Sequence, residues 1–169
     1  MSGKIVNKVA NSQLKTIDLE EFYPQGARTI IDIKNWLFQE LILKETDFRE
    51  HLKKHKWEQY KNHYVALICS SDAIIPSWAY MLITTYISPF TKKIVVGSLR
   101  ELETSIFQDI ISNLNIEDYK NKPVIIKGCA NKPIPETAYI QLVEKLQPVV
   151  KSIMFGEACS TVPLIKNKK

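Results

Sequence analysis

Three residues of this chain could do chemistry together: Cys69, Cys129 and Cys159. Cys69 directly follows the apolar run 64–68. Cys129 comes three residues after 124–126, and Cys159 comes four residues after 153–155. Runs of this kind read as strands buried on both faces. Each thiol therefore falls at, or just past, the carboxyl end of an expected strand. Each also opens a short phrase of small or polar residues that runs to a proline. The phrases are Cys69-Ser70-Ser71-Asp72-Ala73-Ile74-Ile75-Pro76, Cys129-Ala130-Asn131-Lys132-Pro133 and Cys159-Ser160-Thr161-Val162-Pro163. All three read as loops, and the first two lead into helices.

Three converging thiols suit zinc, with three cysteines and one further ligand. They equally suit an iron–sulfur cluster with three cysteine ligands and one other or open position. Asp72 and Glu157 offer oxygen for the fourth place, with Asp72 the one taken here. Ser70, Ser71 and Asn131, in the loops after the first and third strands, are candidate contacts for a bound cofactor or anion, since Ser70 and Ser71 precede a helix N-terminus. His63 stands at the opposite end of its strand, about 20 Å away at 3.3 Å per residue. His51 and His55 are spaced i, i+4 on a lysine-rich helix, where a solvated face is the simpler reading.

Two other readings stay open. A thiol enzyme would use Cys69 alone, because a helix N-terminus lowers a thiol's pKa. Lys127 or Lys132 would supply further positive charge, but no histidine is obviously placed as its base. A non-catalytic interaction protein would use the cysteines as small buried hydrophobes, a common role for unpaired cysteine. Asp72 would then be a helix or turn cap.

The elements that must position these residues follow a regular order from His63 onward. Strands are expected over 63–68, 93–96, 123–126 and 152–155. Between them lie helices over Pro76 to about Tyr86, Leu99 to about Leu114, and Pro135 to about Leu146. Pro76 and Pro135 sit at favoured first-turn positions. Apolar residues at 99, 102, 106, 107, 110, 111 and 114 form one helical stripe. The alternation predicts a three-layer α/β domain with a mainly parallel sheet of the flavodoxin or Rossmann kind. In the flavodoxin-like strand order 2-1-3-4, the three cysteine strands would lie side by side. The outer two would then be about 10 Å apart. No residue-level repeat is evident.

Residues 1–62 read as an N-terminal extension to the 63–165 core of one domain, 1–169. There, 15–19 and 27–33 look like strands on either side of the turn Tyr23-Pro24-Gln25-Gly26, and a hairpin would pair them antiparallel. Thr46 or Asp47 would cap a helix reaching to about Lys61. Trp36 reads as core or an interface anchor, and Trp78 and Tyr80 as core.

Composition fits one globular domain of 169 residues, with 45% hydrophobic and 24% charged residues. No run approaches the roughly 18 apolar residues of a membrane span. The start, Met1-Ser2-Gly3-Lys4-Ile5, lacks the apolar stretch of a signal peptide. A cytoplasmic location is expected, and the odd cysteine count argues against a disulfide framework. The net charge of +5 gathers partly in Arg49, Lys53, Lys54, Lys56 and Lys61. That cluster reads as a solvated helix face rather than a nucleic-acid surface. A homo-oligomer is compatible with all of this.

The phrases 65–76, 123–129 and 155–163, together with Ile31-Asp32-Ile33-Lys34 and Trp36-Leu37, resemble a family of small bacterial proteins known only as a domain of unknown function. The resemblance covers nearly the whole chain. It implies no established activity and no catalytic residue. It implies a link to iron–sulfur assembly proteins as partners, which favours an iron–sulfur cluster over zinc.

Overall fold

The structure, a computed structural model, describes residues 13–128, 131–157 and 159–167. The chain forms two compact units. Unit 2 is Pro24–Phe107, and unit 1 combines 13–23 with 108–167. Unit 2 is thus inserted into unit 1, and the second of the two boundaries, between Phe107 and Gln108, falls within a helix.

Unit 2 has the parallel sheet β2-β3-β4, from Arg28–Asp32, Tyr64–Ile68 and Lys93–Val96. Helix α1 (Glu45–Lys54) lies between β2 and β3, and α2 (Ser77–Ile87) lies between β3 and β4. Val65, Ala66 and Leu67 are consecutive and all fully buried. That is the behaviour of a central parallel strand, which is covered on both faces and loses the usual alternation. Ile31, Ile33, Phe48, Leu52, Ile83 and Ile87 complete its core, with Trp36, Trp57 and Tyr60.

Unit 1 has the sheet β1-β5-β6-β7, from Lys15–Ile17, Pro123–Ile126, Ser152–Glu157 and Ser160–Lys166. Helix α4 (Glu136–Leu146) connects β5 to β6, and β7 returns antiparallel to β6. Ile17, Leu19, Val124, Ile126, Leu142, Leu146 and Ile153 are buried here. Helix α3 (Leu99–Asn113) leads from β4 towards β5. It opens with a capping box. The Ser98 amide donates to Glu101 Oε2 at 2.6 Å, and Ser98 Oγ accepts from the Arg100 amide at 3.2 Å.

The α/β class and the four expected strands of 63–155 are present, and four of the five strand pairings among the described residues are parallel. The single sheet is not. β3 and β4 belong to one sheet, β5 and β6 to another, so the order 2-1-3-4 does not form. The expected N-terminal hairpin is also replaced. β1 pairs in parallel with β5, and β2 pairs in parallel with β3. Strand pattern reports burial and says nothing of which sheet supplies it. The segment after Cys159, expected as a loop on account of Pro163, is strand β7. An edge strand tolerates a proline because its outward amide needs no partner.

A residue-level repeat is present after all, with a shift of 59. It matches Asn62 to Asn121, Pro76 to Pro135, Ala79-Tyr80 to Ala138-Tyr139, Pro89 to Pro148, and Gly97 to Gly156. Backbone geometry repeats with it. The Asn62 amide donates to Phe90 O and the Asn121 amide to Val149 O, both at 2.8 Å. Both asparagines have positive φ, 64° and 57°, a conformation asparagine tolerates better than most residues. The first strands correspond too. Asp18 caps the 3-10 turn Leu19–Phe22 through the Glu20 amide at 3.0 Å. Asp32 caps the turn Ile33–Trp36 through the Lys34 amide at 3.1 Å. Each half is therefore a strand, a capped turn, a second strand, a helix and a third strand.

Candidate functional site

At the carboxyl ends of β2 and β3, Asp32 organises the loop that begins with Cys69. Its Oδ1 accepts from the Ser70 amide at 3.1 Å, and its Oδ2 accepts from Ser70 Oγ at 2.5 Å. Burial alone would raise the Asp32 pKa. The bonds from the Ser70 side chain, the Ser70 amide and the Lys34 amide together outweigh it and hold the carboxyl below its ordinary value. Both Ser70 donors are thus directed to Asp32. Cys69 is half-buried and free, with its Sγ donating to Ser71 O at 3.7 Å and lying 3.3 Å from Ser71 Oγ. Burial, with a smaller contribution from Cys69, raises the pKa of Tyr80.

The loop continues into one wall of a groove of about 750 Å³ within unit 2. Asp72, Ala73, Ile74, Pro76 and Trp78 form that wall, and Leu41, Ile42, Leu43 and Glu45 form the other. The side chains around it are apolar yet solvent-facing. Leu41 and Ile42 are 54% and 52% exposed, and Ile74 is 92% exposed. Phe38, Trp78 and Met81 are exposed as well. Trp78, expected in the core, instead stands at the groove, while Trp36, Trp57 and Tyr60 are buried.

The second wall rests on an unusual turn. The Phe38 amide donates to Ile42 O at 2.8 Å, and the Ile42 amide returns to Phe38 O at 3.0 Å. Between them Gln39 and Glu40 both have positive φ, 49° and 60°. A non-glycine residue in the left-handed region costs about 1–2 kcal/mol. Strain of this kind persists where surrounding structure enforces it, often at ligand-binding sites. Lys44 Nζ lies 3.2 Å from the centre of the Phe38 ring, and the Arg49 guanidinium lies 5.9 Å from that of Trp78. Arg49 also pairs with Glu45 at 2.9 Å.

The repeat shows what is special to this face. The wall residues Asp72, Ala73, Ile74 and Trp78 correspond in unit 1 to Asn131, Lys132, Pro133 and Thr137. The framework is shared, and the apolar rim is not. In unit 1 the strand ends carry a polar set instead. Lys127 Nζ lies 3.4 Å from Asp18 Oδ2, the Asn131 amide donates to Glu20 Oε1, and Lys132 Nζ lies 5.7 Å from the Tyr23 ring centre. A second cavity, of about 720 Å³, lies at the opposite ends of these strands beside Asn121, Lys151 and Asn167.

The three cysteines do not share a sheet edge as expected. Cys69 follows β3 in unit 2, and Cys159 is an exposed free thiol in the turn between β6 and β7 of unit 1. Cys129 lies outside the described residues. Nor do the cysteines correspond in the repeat, since Cys69 matches Gly128 and Cys129 matches Ser70. Among the described residues, no three His, Cys, Asp or Glu side chains converge as a metal site. His55 Nε2 is 2.8 Å from Tyr60 Oη, and His63 Nδ1 is 2.9 Å from Thr29 Oγ1. The basic helix face is laced with exposed pairs, Arg49–Glu45 and Lys53–Glu50.

The family model described as "Protein of unknown function (DUF2480)" matches residues 3–167. The chain belongs to this family. Nothing among the curated proteins or the solved structures matches it. No helix among the described residues of this DUF2480 protein is long and apolar enough to cross a membrane.

The groove was the feature missed from the sequence. Its signal was the apolar Leu41-Ile42-Leu43 and Ile74-Ile75, together with an α2 sequence that is apolar on nearly every side. A helix of that kind reads as buried, so its exposed residues passed as core.

Proposed function

We propose that this DUF2480 protein is a non-catalytic interaction protein of the cytoplasm that docks a polypeptide surface in the groove of unit 2. One observation carries the reading: Leu41 and Ile42 from one segment, and Ile74 and Trp78 from another, face solvent around one groove. Scattered exposed apolar residues are ordinary, but a contiguous set marks an interaction site. Asp32 is then a positioning residue. By fixing Ser70 it holds the loop that presents Asp72, Ala73 and Ile74.

The test uses Leu41→Asp and Ile74→Asp in the full chain. Because these residues face water, unfolding stability should change by no more than about 0.5 kcal/mol. The native protein should enhance ANS fluorescence, and both variants should lose most of that enhancement. Destabilisation above about 2 kcal/mol would make these residues core, and unaltered dye binding would remove the groove as a docking site.

A second reading keeps the thiols. Cys159 is exposed on a turn, where cysteine has no packing role, and this favours metal or iron–sulfur binding through Cys69, Cys129 and Cys159 with Asp72 as a further ligand. Iron–sulfur assembly proteins would then be the partners. Iron, zinc and acid-labile sulfide should be measured on protein purified without oxygen. Metal near one site per chain that is lost in Cys159→Ser supports this reading. No metal after reconstitution removes it.

A further inference from the structure

Among the described residues, Glu103 is the only charged one that is buried, at 6% exposure. It faces Arg28 within unit 2. Arg28 Nε donates to Glu103 Oε1 at 2.6 Å, and Nη2 donates to Oε2 at 3.4 Å. The other arm of the fork, Nη1, donates to Pro24 O at 2.8 Å and to Gly26 O at 2.7 Å. The guanidinium also lies over the Tyr64 ring, 4.7 Å from its centre. One side chain thus fastens the turn 24–26, the start of β3 and the first half of α3.

The two ends of this contact are also the two ends of the insertion. Pro24 is the first residue of unit 2, and Glu103 stands on α3 just before Phe107, the last. An inserted module needs its chain ends close together. A buried ion pair adds little net stability over an apolar pair of similar volume, so stability alone does not account for this one. What it adds is geometry, because a planar fork of fixed donors holds a carboxylate and two carbonyls in one arrangement. Unit 1, whose sequence surrounds the insertion, has no such need. There Leu14 and Pro123 stand at the positions of Arg28 and Tyr64 in the matched strands.

We propose that Arg28 and Glu103 form a lock at the base of unit 2 that makes the inserted stretch a self-contained module, whose core persists when unit 1 unfolds. With the lock open, unit 2 depends on unit 1. This holds whatever the groove binds.

A double-mutant cycle on the full chain tests it, read by native-state hydrogen exchange at Val65, Ala66 and Leu67 of β3. Ile153→Asp places a charge in the core of unit 1, where Ile153 is fully buried, and unfolds that unit, visible as lost protection in β5. Glu103→Gln opens the lock. Ile153→Asp alone should leave β3 protection within about threefold of wild type, as independent sites do. Glu103→Gln alone should lower it about thirtyfold or more, since Arg28 stays buried without its partner charge. The double variant should fall about tenfold or more below Glu103→Gln alone, a non-additivity that a simple stabilising contact would not produce. Should Glu103→Gln leave β3 with no measurable protection, Arg28→Lys replaces it in the cycle, because it keeps the charge and loses the fork. A loss in Ile153→Asp alone beyond about threefold overturns the proposal, since unit 2 would then depend on unit 1 with the lock closed. A further loss in the double variant of less than about tenfold also overturns it, since the pair would then be one stabilising contact among others.

Discussion

His55 shows how far a single residue's role can depart from its sequence context. It lies among lysines, four residues after His51, yet its ring stacks on Tyr60 at 5.6 Å and meets Trp57 and Trp36 edge-on at 4.5 and 5.2 Å. Burial lowers its pKa. A histidine lowered in the folded state binds fewer protons there than in the unfolded chain, so the unfolded state gains protons first as the pH falls. The stabilising effect of a neutral His55 is complete above its unfolded value of about 6.5. It is lost as the pH drops through the lower folded value. The urea midpoint should therefore fall as the pH is taken down from about 6.5, and His55→Phe should flatten that dependence by comparison with wild type. An equal slope in both proteins would show that other groups set the acid response. The sequence could not reveal this environment, because its aromatic partners at positions 36, 57 and 60 are brought together only by tertiary packing.

Elements were more legible than their assembly. Helix α4 begins one residue after its expected proline and ends at the expected Leu146, and α3 agrees to within one residue. The reason is local: prolines at the N-cap, a capping serine and a stripe of period 3.6 all act within or next to the element itself. α1 was overextended. It stops at Lys54, and Trp57–Tyr60 turns in a separate 3-10 segment that buries Trp57 and Tyr60. Its first turn has no side-chain cap either, since Lys44 takes that position. The carboxyl-end placement of Cys69 was readable for the same local reason as β3. The common sheet edge expected for the cysteines was not, because sheet membership depends on long-range pairing that strand pattern does not encode. The groove was obscured by chemistry rather than by distance in sequence. Ile74, Trp78 and Met81 have the composition of core residues, and composition does not report which apolar side chains remain wet.

At the scale of the molecule, the repeat explains how a chain that alternates strands and helices at even spacing fails to make one sheet. Each half needs a first strand beside its central one, and both first strands come early, β1 for unit 1 and β2 for unit 2. The short segment before unit 2 is therefore structural for unit 1, despite reading as an extension. Ile17 and Leu19 are almost wholly buried, and Ile17 O accepts the Lys127 amide at 2.9 Å. Burying each of the two side chains contributes about 1.5–3 kcal/mol. The unit 2 core draws none of its residues from before position 31. A chain beginning at Pro24 should then lose protection selectively. By hydrogen exchange, the amides of Val124, Ile125 and Ile126 in β5 should exchange much faster than in the full chain, because their sheet has lost its edge strand and two buried side chains. Those of Val65, Ala66 and Leu67 in β3 should keep most of their protection, since β2 and β4 still flank them. Equal loss in β3 and β5 would mean that the two halves unfold as one cooperative body. Unchanged β5 would mean that β1 contributes little to its sheet. The selective outcome is the one that the doubled framework requires: two units with separate sheets, the sequence of one inserted within that of the other.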